Sequence, residues 1–298
     1  MRKSIVAGAT ALAVVATGLA VAGIVRTAGP ATAAVGDVPA DCETWTTAYR
    51  SDGQRLSYKY SARKTSTEAL PGDKLGWVPT ALAGGAESGG EDVFESSSLV
   101  THPTDGYLYR VYRVGRRIDG VWRITKHTTS RIAPGFAGTR ILASGPGRYY
   151  YRLTGNSLYR FEVIYSADQP PRITTPVKMP GSNWDTVNTL QYQRTGGTAD
   201  APVHVMLGTK TNGQLKEWRI NEANPATITS KILRNAGWGV FTSLNTGFCN
   251  SRPNGRPLIG ITAAGRASVH FDANSKDGDG TDIKGGSLGF VGWTEKAY

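Results

Sequence analysis

The chain is 298 residues long and basic, with 34 lysines and arginines against 23 acids for a formal charge of +11. The cations are spread along alternating runs such as Tyr109-Arg110-Val111-Tyr112-Arg113, with Arg116 and Arg117 the densest pair. That pattern reads as solvated strand faces and argues against a nucleic-acid partner. Only Cys42 and Cys249 occur, with no Cys-x-x-Cys, so neither thiol redox chemistry nor a cysteine metal site is indicated.

Residues 1–34 read as a secretory signal. Arg2 and Lys3 precede an apolar run over 5–25, and Pro30 to Ala34 supply small residues at a cleavage point. The alternative is a retained anchor, since the run approaches the ~20 residues of a bilayer span. Its Ala, Gly and Thr content and its small-residue exit favour cleavage after Ala34, leaving no membrane span and one β-rich domain over 35–298. An exported chain with two cysteines is expected to join them, Cys42 to Cys249.

Within that domain the chain repeats itself. The pairs Gly76-Trp77, Gly135-Phe136, Asn183-Trp184, Gly237-Trp238 and Gly292-Trp293 stand 59, 48, 54 and 55 residues apart. Gly247-Phe248 and Gly289-Phe290 fall out of phase. A second series keeps the same count: turn glycines at Gly53, Gly106, Gly155, Gly213 and Gly265, each followed by a short alternating run. A third series is Ile124-Thr125, Ile173-Thr174 and Ile228-Thr229, with Ile283-Lys284 as a degraded copy.

In chain order, the unit from Trp77 predicts strands at 78–83, 94–101, 107–114 and 121–128, with a Gly-rich surface loop at 84–91. The unit from Phe136 predicts 139–143, 149–153, 157–164 and 171–179. Those from Trp184 and Trp238 predict 187–193, 202–210, 214–220 and 226–233, then 240–246, 257–262, 266–272 and 281–290. No segment after the signal keeps a helical period. Four strands per repeat of about 50 residues describe a propeller blade.

After Trp293 only one strand, 294–298, fits, so the fifth blade takes its other three from 43–50, 55–61 and 65–70. The expected fold is all-β, a five-bladed β-propeller of four-stranded antiparallel blades whose last blade is closed by N- and C-terminal strands. Closing the ring leaves no open ladder at the seam. Cys42 and Cys249 would then staple the split blade to its neighbour.

This pattern resembles the tachylectin family, five-bladed propeller lectins of animal innate immunity that also occur among secreted bacterial proteins. Each blade of that family opens on Gly-Trp, often followed by Asp, with an apolar residue five or six positions on and then Leu-Tyr strands. Ser182-Asn183-Trp184-Asp185 with Leu190 is the nearest copy; Leu82, Ile141 and Leu244 hold the same apolar position, and Leu108-Tyr109 and Leu158-Tyr159 match the strands. The resemblance covers nearly all of 35–298. It implies binding of N-acetylated amino sugars at equivalent sites around the ring, with no cofactor. The Asp survives only at Asp185, with Val78, Ala137, Gly239 and Thr294 elsewhere, so at most one or two such sites are expected.

The candidate ligand residues are Trp77, Phe136, Trp184, Asp185, Trp238 and Trp293. The five rings are read first as wedges between blades and second as stacking platforms for sugars. Asp185 is read first as a turn residue. Tyr109, Tyr112, Tyr149, Tyr150, Tyr151 and Tyr159, with interleaved arginines, make either a glycan-facing sector or core-facing strand positions.

The run Asp277-Gly278-Asp279-Gly280-Thr281-Asp282 has Asp where an EF-hand loop needs Gly and no Glu at twelve, so a polar hairpin is expected and no metal site. His102, His127, His204 and His270 show no metal spacing, and no Gly-x-Ser-x-Gly elbow precedes a helix. No catalytic residue is assigned. The expectation is a secreted, monomeric carbohydrate-binding propeller for cell-wall or amino-sugar glycans, whose weak sites gain from multivalency. A propeller glycoside hydrolase or lyase and a protein-interaction scaffold are the alternatives.

Overall fold

A computed structural model describes residues 35–166, 168–293 and 296–298; the expected signal sequence 1–34 lies outside the described residues. The chain builds five antiparallel sheets. It opens on β1 (Cys42–Tyr49), β2 (Arg55–Ser61) and β3 (Lys64–Glu68). The first complete blade is β4 (Leu82–Gly89), β5 (Val93–Thr101), β6 (Leu108–Ile118) and β7 (Val121–Ala133). The second is β8 (Thr139–Ser144), β9 (Tyr149–Thr154), β10 (Ser157–Ile164) and a broken outer edge, β11 (Arg172–Ile173) and β12 (Val177–Lys178). The third is β13 (Val187–Gly197), β14 (Pro202–Lys210), β15 (Leu215–Asn221) and β16 (Ile228–Arg234). The fourth starts with β17 (Phe241–Thr246), detours through β18 (Phe248–Cys249), and continues as β19 (Arg256–Thr262), β20 (Arg266–Asp272) and β21 (Lys284–Phe290). Finally β22 (Lys296–Ala297) pairs with β1, Ala48 opposite Ala297, so the fifth blade is split between the chain ends.

The five-bladed propeller is therefore present, closed as the repeat count requires. Cys42 and Cys249 face each other in the β1–β18 register and form a disulfide with a Cα separation of 4.0 Å. Among the described residues no helix is long and apolar enough to cross a membrane.

Burial follows the radial order of the strands. Middle strands such as β14 and β19 lie between two neighbouring blades and read as nearly continuous buried runs. Strand β2 alternates, with Leu56, Tyr58 and Tyr60 turned inward, while outermost strands such as β3 are exposed throughout. The core is divided into five clusters, one per interface between blades, and each aromatic mark belongs to a different one. Trp77 packs against the cluster joining the split blade to the first, and Phe136 joins the first to the second. Trp184, Trp238 and Trp293 lie in the next three around the ring. Burying one such ring is worth roughly 2–3 kcal/mol.

Three segments depart from the sequence expectation. The stretch 84–91, expected as a loop, is mostly strand: β4 runs to Gly89, bulged between Gly84 and Glu87, because Phe94 to Ser98 of β5 offer it a complete ladder. The same strand starts only at Leu82, after an approach through Pro79. The outer strand expected at 171–179 is broken into β11 and β12 around Pro176, whose ring lacks the N–H a ladder needs. The strand expected at 281–290 begins at Lys284, because the residues before it form side-chain-capped turns.

Candidate functional site

The innermost strands surround a cavity of about 1100 Å³ on the propeller axis. Three of them, β8, β13 and β17, carry a bulge at the same place, between Thr139 and Ile141, Val187 and Thr189, and Phe241 and Ser243. A bulge re-aims a side chain, and the extra residues Arg140, Asn188 and Thr242 line the cavity. Arg140 donates to the Val187 and Trp184 carbonyls at 3.2 and 3.0 Å, and Asn188 Nδ2 donates to the Gly239 carbonyl at 2.9 Å. Each thus ties its blade to the next. At the seam, Thr46 Oγ1, Ser243 Oγ and Asn245 Nδ2 all donate to the main-chain oxygen of Tyr298, at 2.9, 2.7 and 2.7 Å.

The cavity does not stop at the axis. It extends outward between the split blade and the first blade, where the cluster of fully buried apolar residues is short: Tyr49, Leu75, Val100 and Val111. Beyond them the two facing sheets hold a cleft. One wall is the face of β1 and β2 that carries Glu43, Trp45, Arg55 and Lys59; the other holds Phe94 and Trp122. Trp45 and Phe248 meet edge to face at 6.4 Å and remain 43% and 44% exposed. Phe94 and Trp122 lie 5.3 Å apart, and Phe94 lies over Gly115, where an added Cβ would fall 2.1 Å from its ring. Two aromatic pairs therefore border one polar trough.

The floor of that trough is an ion cluster. Arg113, only 2% exposed, donates to Asp73 at 2.6 Å, to Tyr49 Oη at 2.7 Å and to Ser98 Oγ at 2.9 Å. Arg55 adds contacts to Asp73 at 3.3 Å and to Thr47 Oγ1 at 3.2 Å. His127 Nε2 lies 3.7 Å from the same carboxylate, and burial followed by the Arg113 charge pushes that imidazole below its ordinary value. Nearer the rim, Glu43 pairs with Lys59 at 2.6 Å and accepts from Ser61 Oγ at 2.8 Å. The bond to Lys59, then that to Ser61, holds the Glu43 carboxyl below the usual range.

The residues expected to bind ligand are not brought together. Phe136 packs edge-on to Phe161 at 5.5 Å with the Arg152 guanidinium over its face. Trp238 lies against Phe241 and His270, and Trp293 against Tyr58. These three rings and Trp184 are buried, while Trp77 is half-buried beside His102 and Tyr109. Asp185 is exposed in the short turn Trp184–Thr186.

A smaller cavity of about 280 Å³ does open beside Trp184, against Trp218 at 5.5 Å. The six tyrosines are dispersed: Tyr150 and Tyr151 are in the core, and Tyr112 meets Arg110 and Lys126 on the first blade. In the 277–282 loop, Asp277 and Asp279 accept from main-chain amides two residues on, as in a capped turn.

The cleft aromatics were missed by sequence reasoning. Trp45 and Phe94 stand in predicted strands, and Phe248 belongs to an out-of-phase Gly-Phe pair. The available signal was the alternation Glu43, Trp45, Thr47, which puts a large ring on the polar face of a strand.

Fold and site together define a five-bladed propeller with one interface opened into an aromatic-walled cleft. No family model and no curated protein matches the sequence. Among solved structures the chain is similar to a mutant of AofleA from Arthrobotrys oligospora, at 13% identity over 87% of this chain and 72% of that one, with a TM-score of 0.46. It is also similar to a mutant of the Aleuria aurantia lectin in complex with alpha-methyl-L-fucoside, at 12% identity, 83% and 75% coverage and a TM-score of 0.37. A third is the periplasmic gluconolactonase PpgL of Pseudomonas aeruginosa, at 10% identity, 82% and 95% coverage and a TM-score of 0.29.

Proposed function

We propose that this is an exported carbohydrate-binding propeller that takes its glycan in the cleft between the split blade and the first blade. The observation that carries the reading is the pair Trp45 and Phe248, two large rings left nearly half exposed on the wall of a cavity that also presents charged and hydroxyl groups. Sugars have apolar C–H faces and polar edges, and exposed aromatics beside hydrogen-bonding groups match both. The Gly-Trp marks and Leu-Tyr strands support a tachylectin-type lectin. The basic charge supports an anionic cell-wall glycan, and the disulfide supports an oxidising compartment.

Binding suits the cleft better than hydrolysis. A glycosidase needs a carboxylic acid with a raised pKa beside a second carboxylate. Glu43 is held ionised by Lys59, Asp73 is engaged by two arginines, and Glu68 and Glu87, the other acids on the lining, are exposed to solvent. The carboxyl pushed up to about 7, Asp272, does not line this cavity.

The test is retention of the purified protein on a glycan array, with Trp45→Ala and Phe94→Ala tested beside Trp184→Ala and Asp185→Ala. Retention lost in the first pair and kept in the second places the ligand in the cleft. Retention by no glycan ends the lectin reading, and turnover of a bound glycan would replace it with the hydrolase.

A further inference from the structure

The smaller cavity has a composition unlike that of the cleft. Its lining is apolar, with Trp184, Val187 and Trp218 buried beneath and Pro180, Ala226 and Ile228 more open, and its rim carries Lys210 and Lys216. No carboxylate lines it, and neither lysine takes part in an ion pair among the described residues. Lys216 Nζ stands 5.5 Å from the Trp218 ring. Strand alternation explains the missing counter-ion: Glu217 points to the opposite face of β15, where Arg194 and Arg219 claim it. Burial, and then the charge of Lys210, pull the Lys216 ammonium below its ordinary value, as expected of two cations with no anion between them. Ser182 and Ser230 add hydroxyls at the edge.

We propose that this pocket is a second, anion-selecting subsite that takes a hexuronic acid residue of a polysaccharide, its carboxylate between Lys210 and Lys216 and its ring against the apolar lining of Pro180, Ala226 and Ile228. The inference deepens the glycan-binding reading and rests on it. A cavity of about 280 Å³ lies just under the ~300–1,000 Å³ range of small-molecule sites, which suits one ring rather than an oligomer. A small inorganic anion would satisfy the lysines but leave the apolar floor uncovered. A neutral sugar would cover the floor but leave the cations unpaired. A uronate does both.

The test is a tryptophan-fluorescence titration of the purified protein with sodium glucuronate, set against glucose and inorganic phosphate. Glucuronate is expected to give a saturable response that weakens with added salt and is at least tenfold tighter than either control. Lys216→Gln and Lys210→Gln, checked for an unchanged melting temperature, should each weaken it at least tenfold, and Lys64→Gln, at an exposed lysine that lines neither cavity, should leave it unchanged. The two lysine variants provide independent readings if one fails to fold.

An equal response to phosphate would reduce the pocket to a general anion trap, and an equal response to glucose would remove the role of the lysines; either overturns the proposal. So does a glucuronate response indifferent to both lysine variants. If the array shows Trp45-dependent retention while glucuronate gives no response, the subsite fails alone. If both are silent, the glycan reading fails with it.

Discussion

The amide of Trp238 donates to the carbonyl of Gly213 at 2.9 Å, joining the hairpin turn of one blade to the aromatic that opens the next. Phe136 makes the same bond to Gly106 at 2.7 Å. At the other turns the contact shifts slightly: Leu75 to Gly53 and Val291 to Gly265, both at 2.9 Å, and Trp184 to Asn156 Oδ1 at 2.7 Å. The glycine and aromatic series keep one count in the sequence because they meet in space.

These turns differ in how tightly they are built, which sets the order of three substitutions. Gly53 and Gly265 have positive φ, and a Cβ there would fall 1.8 Å from the Leu75 carbonyl oxygen and 2.2 Å from that of Trp293. Gly213 also has positive φ, but its Cβ would meet nothing closer than 3.4 Å. Gly213→Ala is expected to cost only the left-handed backbone penalty, about 1–2 kcal/mol. Gly53→Ala and Gly265→Ala should cost clearly more, as read from urea unfolding midpoints at unchanged slope.

The Cys42–Cys249 bond spans 207 residues and locks β18, an excursion of the chain between β17 and β19 of the fourth blade that pairs in the split blade's sheet, onto β1. Loop-closure entropy for such a span reaches roughly 5 kcal/mol in the chain-entropy model. Replacing both cysteines by serine should lower unfolding free energy by about 2–5 kcal/mol. The loss should be matched by adding reductant to the unaltered protein, and unfolding curves with and without reductant check it.

Beneath the cleft, Asp73 and Arg113 form a pair in which both side chains are 2% exposed. Removing one member of such a pair leaves a buried charge uncompensated and typically costs about 3–5 kcal/mol. Arg113→Met should fall in that range, softened where Arg55 keeps hold of Asp73. Arg113→Met combined with Asp73→Leu should cost less than the two single changes added together. A double-mutant cycle in urea measures the coupling.

The repeat frame was legible because each blade spends one large ring on one interface, and that requirement recurs at regular intervals in the chain. The split blade followed from counting strands after Trp293. What could not be read was the inequality of the five interfaces. The cleft exists because Trp45 of β1 and Trp122 of β7 face each other across a gap that no local pattern encodes. Likewise the bulges that aim Arg140 and Asn188 into the cavity add one residue to a strand without changing its hydrophobic rhythm. The break at Pro176 was visible in the sequence, but the β-branched residues around it read as one strand.

Two groups in the fourth blade should give stability opposite pH slopes. Burial, then the neighbouring Asp282 charge, push the Asp272 carboxyl from 3.8 up to about 7, and its Oδ1 accepts the Asn274 amide at 3.1 Å. Between those values the folded state holds a proton that the unfolded chain has released. The contribution of Asp272 is therefore complete below about pH 4 and is lost as pH rises through about 7.

His270, against Trp238 at 4.8 Å, is pushed by burial and then by Arg234 from 6.5 down to about 4. Its contribution is present above pH 6.5 and is lost as pH falls through about 4. Asp272→Asn keeps an oxygen for the Asn274 amide, so it should stabilise the protein at pH 8 and do progressively less toward pH 4. His270→Gln should leave the alkaline limb alone and flatten the acid one. Melting temperatures of both variants and the parent from pH 4 to 8 decide it: an Asp272→Asn gain that is constant across that range would show that the carboxyl titrates normally.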